Sequence, residues 1–275
     1  MAKRISQLAQ ITASQIAQTD LVPVVDVSAG QTKYSTVKDL TGLPDLGWTA
    51  TGESLSYSSW DSARRIGVIT VPTDATTKYN PKMRVRFSQT TGGTKYGIIT
   101  YVTATTLTVH FPSGTTLANE AITSPVYSPL DTPVGFPSNP NSWMLSFESG
   151  STTAQTSPTG SLWYNTGSPL IALGAGNWRV RGRAAFQLTG AVPELLSALS
   201  TSSSSPSHNM AVIRDYQASR SVPTLNTHTH LLDVDLSANG TVYIIYKSPN
   251  GGTFDNRGDT GTPHVTRIEA VTNYL

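Results

Sequence analysis

Short runs in which apolar and polar residues alternate recur along most of the chain, and they predict strands rather than helices. Met83-Arg84-Val85-Arg86-Phe87 and the longer run Trp178-Arg179-Val180-Arg181-Gly182-Arg183-Ala184-Ala185-Phe186-Gln187-Leu188 both keep a period of two. That period sends successive side chains to opposite faces of a strand, so each run predicts one face against a core and one in water. Further strands are predicted at 21–27, 32–37, 66–71, 95–102 and 106–111, and then at 143–147, 162–164, 169–173, 210–213, 231–236, 242–246 and 265–271. Turn residues separate them. Ser28-Ala29-Gly30-Gln31, Thr90-Thr91-Gly92-Gly93-Thr94 and Gly174-Ala175-Gly176 read as turns, and Pro72 ends the strand before it. Only residues 1–20 permit a helix. Ile5, Leu8, Ile11 and Ile16 recur there at spacings of three to five, but Thr12 and Ser14 interrupt the pattern.

The spacing of these runs divides the chain. Residues 1–40 form a first segment. Residues 41–60, with Gly42, Pro44, Gly47 and Gly52, read as a linker. Residues 61–137 read as a small β-barrel or sandwich, with a strand at intervals of about 8–12 residues. A Pro-rich joint follows, and residues 138–275 read as a larger sandwich with long connections, of the jelly-roll kind. The expected fold class is therefore all-β. Trp143, Trp163 and Trp178 lie in apolar runs and are expected in the core, whereas Trp48 and Trp60 lie in the linker and are expected at a contact with a neighbouring chain. No repeat of 20–50 residues is present, which argues against a solenoid or propeller.

Composition narrows the chemistry. The 275 residues include no cysteine, so there is no thiol nucleophile, disulfide framework or thiolate metal site. Charged residues are only 13%, and Ser with Thr makes up about a quarter of the chain. The formal charge of +2 is spread thinly, without the basic stripe that nucleic-acid binding needs. No apolar run approaches the roughly 20 residues of a membrane-spanning helix. The basic start, Lys3-Arg4, has no apolar stretch behind it, so no secretory signal is expected.

Several ordered segments resemble a known family. Ile5-Ser6-Gln7-Leu8, Thr19-Asp20-Leu21-Val22-Pro23-Val24-Val25 and Thr32-Lys33-Tyr34-Ser35-Thr36-Val37-Lys38-Asp39-Leu40 resemble the N-terminal attachment segment of tailed-bacteriophage virion proteins. Residues 67–72, 74–79 and 87–96 are similar to a β domain recurrent in phage fibre and decoration proteins. Leu173-Gly174-Ala175-Gly176-Asn177-Trp178-Arg179-Val180-Arg181 is similar to the first core hairpin of trimeric jelly-roll heads of the tumour-necrosis-factor type. The resemblance implies a homotrimeric appendage of the virion, assembled in the host cytoplasm. It would dock on capsid or tail proteins through Ile5, Leu8, Leu21, Val22, Val24, Tyr34, Val37 and Leu40. A capsid decoration or head-fibre protein is the first expectation. A tail fibre or minor tail protein whose head recognises host surface glycans is the alternative.

One local constellation has metal-binding character. His228-Thr229-His230 would place two imidazoles on one face of a strand. In the trimer that the resemblance implies, three such pairs near the axis would offer six nitrogens to one metal ion. The plainer reading is a polar strand end before Leu231-Leu232, because two histidines fall short of a full ligand set. No other cofactor is expected. Catalysis is not expected either. Asp215, Asp233, Asp235, Asp255, Asp259, Glu194 and Glu269 show no catalytic spacing, and no nucleophile elbow, His-Glu-x-x-His or phosphate loop occurs. A small carbohydrate-active virion enzyme is the remote third reading.

Overall fold

The computed structural model describes residues 21–26, 31–36, 47–149, 152–156, 159–165, 170–189, 194–207, 212–216, 224–249, 253–256 and 265–275. The described chain is almost entirely antiparallel β, as its alternating pattern dictates. Strands β1 (Leu21–Asp26) and β2 (Gln31–Thr36) form a hairpin in which Leu21 opposes Thr36 and Pro23 opposes Tyr34. The remaining docking candidates of the first segment, Ile5, Leu8, Val37 and Leu40, lie outside the described residues.

The first lobe is one seven-stranded sheet. It contains β3 (Thr49–Ala50), β4 (Ser56–Asp61), β5 (Ile66–Thr70), β6 (Arg84–Gln89), β7 (Gly93–Val102), β8 (Thr106–His110) and β9 (Thr123–Ser128), in the order β3-β9-β6-β7-β8-β5-β4. The two edge strands β3 and β4 are joined by residues 51–55 alone, so the sheet must curl until its edges approach. Its concave side holds Leu55, Ile69, Val71, Tyr79, Val85, Phe87, Ile99, Leu107, Val109 and Phe111. Strands β3 and β4 fall in the stretch that the turn residues mark as a linker. They are strands because Leu55 and Trp48 are buried and draw the backbone into the sheet.

Trp48 is fully buried, against the expectation of an exposed contact. Its ring lies 6.1 Å from Tyr96 and 6.5 Å from Phe136, and its Nε1 donates to Val134 O at 2.8 Å. Trp60 is half-buried and meets Phe111 edge-on at 5.8 Å. Charges in this lobe act as latches. Glu53 accepts hydrogen bonds from Thr73 Oγ1 (2.6 Å), Tyr79 OH (2.7 Å) and Lys78 Nζ (2.9 Å). Burial alone would raise this carboxyl, but the three bonds and the Lys78 charge outweigh it and hold it below the usual range. Arg84 has 1% of its surface exposed; its Nε donates to Asp131 O at 2.9 Å, its Nη1 donates to Lys82 O, and its guanidinium lies 5.1 Å from the centre of the Phe136 ring.

A four-residue helix, α1 (Pro140–Trp143), opens the second lobe. Asn139 caps it by accepting from Asn141 N at 3.1 Å, and Pro140 occupies the first turn, where its missing N–H leaves no gap. Trp143, expected in a strand, therefore ends a helical turn, and it is buried as expected.

The second lobe is a sandwich of two antiparallel sheets. One contains β10 (Leu145–Glu148), β11 (Thr153–Gln155), β13 (Gly176–Thr189), β16 (Thr224–Leu236), β18 (Thr253–Asn256) and β19 (Arg267–Thr272). The other contains β12 (Leu170–Leu173), β14 (Glu194–Ser200), β15 (Val212–Tyr216) and β17 (Gly240–Lys247), in the order β12-β17-β14-β15. The core between the sheets includes Leu173, Trp178, Val180, Phe186, Leu195, Leu199, Leu232, Val234, Val242, Ile244, Tyr246 and Ile268.

The lobes meet at a packed seam. Ile66 of β5 belongs to the core of the sandwich. His110 of β8 is fully buried, with its ring 5.0 Å from Trp178 and 5.9 Å from Trp143. Its Nε2 lies 2.9 Å from Trp143 O, and since a carbonyl only accepts, Nε2 carries the proton. Gly174 and Gly176 seat the sandwich on the first lobe. A Cβ on Gly174 would lie 2.6 Å from Ile66 Cγ1, and one on Gly176 (φ +136°) would lie 2.7 Å from Thr100 Cβ. The turn at 174–176 is thus also a close approach, of Gly174 to the Ile66 side chain and of Gly176 to the Thr100 backbone, which glycine permits.

Candidate functional site

The histidine pair projects from one face of β16, as its spacing predicts, and that face is the inner one. His228 and His230 are both buried, in step with Leu232 and Val234. Ser197 of the facing sheet lies between them, its Oγ 2.6 Å from His228 Nδ1 and 2.9 Å from His230 Nε2. One hydroxyl hydrogen serves one imidazole, so Ser197 donates to one ring and accepts from the other. Phe186 meets His228 edge-on at 4.7 Å. The imidazoles therefore point between the two sheets of a single chain rather than outward towards a threefold axis. No group of three or more metal-binding side chains is present among the described residues.

The outer face of the same sheet is a grid of charges. The alternation of β13 turns Arg179, Arg181 and Arg183 outward, while Trp178, Val180 and Gly182 face the core. Pairing with β16 sets Arg179 opposite Asp233, Arg181 opposite Leu231 and Arg183 opposite Thr229. Pairing with β19 sets Arg179 opposite Val271, Arg181 opposite Glu269 and Arg183 opposite Arg267. On the next strand Glu148 faces Arg267.

Ion pairs cover part of this grid. Arg179 Nε donates to Asp233 Oδ1 at 3.0 Å, and this bond with its charge holds Asp233 below the usual carboxylate range. Arg267 reaches two carboxylates, Glu148 Oε1 at 3.2 Å through Nη1 and Glu269 Oε1 at 2.5 Å through Nη2. Arg181 and Arg183 have no ion-pair partner among the described residues. A cavity of about 200 Å³ opens between Arg181, Arg183, Arg267 and Glu269. A second, of about 190 Å³, adjoins it and is lined by Met144, Arg179, Arg181, Leu231, Glu269, Ala270 and Val271. Leu231 keeps 62% of its surface in water.

A third feature lies at one end of the sandwich. Among the described strands, β10 and β12 are the last in their sheets. A cavity of about 400 Å³ between them is lined by Ala63, Leu145, Ser146, Phe147, Leu170, Ile171 and Ala172. Leu145 and Phe147 share a face of β10 by alternation; Leu145 is buried, yet Phe147 is 52% exposed and Leu170 44%.

Of the carboxylates named from the sequence, the side chains of Asp215, Asp255 and Asp259 lie outside the described residues. Asp233 and Glu269 are ion-paired on the outer face, and none of the five cavities described holds two carboxylates. Sequence reading passed over Ser197, Arg267 and His110. The alternation of Arg267 and Glu269 in the last strand was visible, but the register that sets them beside Arg181 and Arg183 was not.

No protein-family model matches the sequence, and no curated protein matches it. Solved structures offer distant likenesses. An isomalto-dextranase of Arthrobacter globiformis T6 complexed with panose is 10% identical, over 79% of this chain and 36% of that one, with a TM-score of 0.23. A Bacillus thuringiensis Cry1Da tryptic core variant is 10% identical over 94% of this chain and 59% of that one, with a TM-score of 0.21. A structure of infectious bursal disease virus, Gx strain, is 10% identical over 91% of this chain and 71% of that one, with a TM-score of 0.22. The chain thus spans about a third of the length of the first and six-tenths of the second. Likenesses at this level carry no argument about what the chain does.

Proposed function

We propose that this chain is a structural protein of a tailed-bacteriophage particle. It is a non-enzymatic homotrimer that docks through residues 1–40 on the capsid surface as a decoration or head-fibre protein. The order of motifs along the sequence suggests the class. The observation that carries the assembly is the open end of the sandwich. There, two strand edges and an apolar slot with Phe147 and Leu170 exposed lie side by side. Unpaired edges next to exposed apolar surface invite pairing with any other chain, and closure around a symmetry axis covers both at once. Three attached copies also turn weak single contacts into firm docking, because the second and third are intramolecular. The non-enzymatic reading is supported by what the ionisable groups do. Glu53, Asp61, Arg84 and Lys78 brace loops, and Asp233, Glu148 and Glu269 pair with arginines.

Two measurements test this. Sedimentation of the full chain at micromolar concentration gives a trimer, and Phe147→Asp gives a monomer with an unchanged β spectrum; a monomeric wild-type chain overturns the assembly. Particles lacking the protein regain it when the full chain is added, but not when residues 1–40 are removed. Full occupancy by the truncated chain overturns the docking role. The arginine grid favours a second reading, a tail-fibre or minor tail protein whose head meets the host surface. Competition of the purified full chain with infection supports that reading, and its absence at saturating protein counts against it.

A further inference from the structure

We infer that the outer face of the β16-β13-β19 sheet is a binding site for an acidic sugar. The carboxylate is held by Arg181 and Arg183, and the ring lies against Leu231. The inference stands on this face alone and requires neither the trimer nor a particular place on a virion.

The charge arrangement is the first argument. Arg183 and Arg267 are directly opposite each other in the register of β13 and β19. Like charges so placed destabilise a sheet unless something of opposite sign lies between them. Arg267 is satisfied by Glu148 and Glu269, which are the nearest carboxylates. Glu269, although opposite Arg181, is therefore engaged along its own strand by Arg267. Among the described residues two guanidinium groups remain without an ion pair, two residues apart on one strand and on one face, beside a cavity whose one described carboxylate is Glu269. Guanidinium presents a planar fork of donors matched to a carboxylate, and charge-assisted bonds of this kind are about twice as strong as neutral ones.

The second argument is the apolar cavity alongside. It shares Arg181 and Glu269 with the cationic one, so a single small ligand can span both. Its other walls, Met144, Leu231, Ala270 and Val271, are apolar, and Leu231 stands in water on the strand face where polar residues Thr227, Thr229, Asp233 and Asp235 are its companions. An exposed leucine beside an unpaired arginine pair fits a ligand with an anionic group at one end and a C–H face at the other. Glu269 sits on the boundary, where a carboxylate oxygen accepts from a ring hydroxyl. Inorganic phosphate satisfies only the first half of this description, and a neutral sugar only the second. A uronic-acid residue of a surface polysaccharide satisfies both.

The test is calorimetric titration of the full chain with methyl glucuronide, methyl glucoside and inorganic phosphate at low salt. Glucuronide is expected to bind at least tenfold more tightly than glucoside. Arg181→Gln with Arg183→Gln removes that binding while the thermal unfolding midpoint stays at or above the wild-type value, because both side chains lie on the solvent face and the like charge opposite Arg267 is lost. Leu231→Ala weakens glucuronide about threefold and leaves phosphate unchanged. Equal binding of glucuronide and glucoside, or glucuronide binding retained in the double variant, overturns the site. Phosphate binding as tight as glucuronide, with no effect of Leu231→Ala, overturns the sugar and leaves a plain anion site. If the double variant shows a lowered midpoint, Arg183→Lys alone decides. It keeps the charge and loses the fork, and unchanged glucuronide affinity in it overturns the assignment.

Discussion

The two lobes are built from the same kind of strand but keep their charges in different places. In the first lobe the notable charges are turned inward or pressed against loops. Arg84 is buried under Phe136, and Glu53 is enclosed by Thr73, Lys78 and Tyr79. In the second lobe Arg179, Arg181, Arg183 and Arg267 stand on the outer face of a sheet, and Arg181 and Arg183 have no ion-pair partner among the described residues. A charge enclosed by hydrogen bonds holds structure and is unavailable to a ligand. A charge on a strand face contributes little to stability and is free to bind. The comparison places structural charges in the first lobe, and the proposed binding face is built from those of the second.

The largest expected effect tests the inward charges. Arg84→Ala leaves the carbonyls of Lys82 and Asp131 without their donor and opens space beneath Phe136. Denaturant unfolding should show a loss of about 3–4 kcal/mol. If the loss is under about 1 kcal/mol, Arg84 is not a latch and the contrast between the lobes fails.

Next in size is the seam that joins them. Burial pushes His110 down to about 4, against 6.5 when exposed, and the nearby Arg65 charge acts in the same direction against the hydrogen bond to Trp143. The neutral ring is therefore the form the fold accepts. The stabilisation is complete above pH 6.5. It falls as pH drops from 6.5 to about 4, where the unfolded chain takes up a proton and the folded chain does not. The loss over this window is about 3 kcal/mol, at 1.36 kcal/mol per unit. His110→Gln removes this titration, and an unchanged pH profile in that variant shows that the seam is not set by His110.

Gly176→Ala tests the same seam sterically. The new methyl meets Thr100 at 2.7 Å on a backbone of φ +136°, and a loss of about 2 kcal/mol is expected in thermal or denaturant unfolding. The smallest effect is expected on the outer face of the second lobe. Arg179→Ala breaks an exposed ion pair with Asp233 and should leave the unfolding midpoint unchanged. A clear drop would mean that the outer grid is structural, and would weaken the case for a binding face.

Much of the fold was legible. The hairpin turn at 90–94 is present, with Gly92 and Gly93 at φ +74° and +62°, and the period of two in 178–188 places Trp178 and Val180 inside and Arg179 and Arg181 outside. Trp48 was misread because its partners, Tyr96, Phe136 and Trp143, lie 48 to 95 residues away in sequence. Flanking glycines describe its neighbourhood along the chain but not across it. Trp143 had a readable signal, the Asn139-Pro140 helix start, which the apolar run after it concealed.

Alternation along a single strand is a local property, fixed by backbone geometry within a few residues, and so the sequence determined which side chains share a face. The histidines of residues 228 and 230, and the arginines of 179, 181 and 183, were each set on one face by that rule alone. Which face is the inner one, and what stands opposite, depends on pairing between strands far apart in the chain. Only the tertiary structure set Ser197 between the two imidazoles and Arg267 across from Arg183, because register is decided by the burial of whole sheets and not by any one strand.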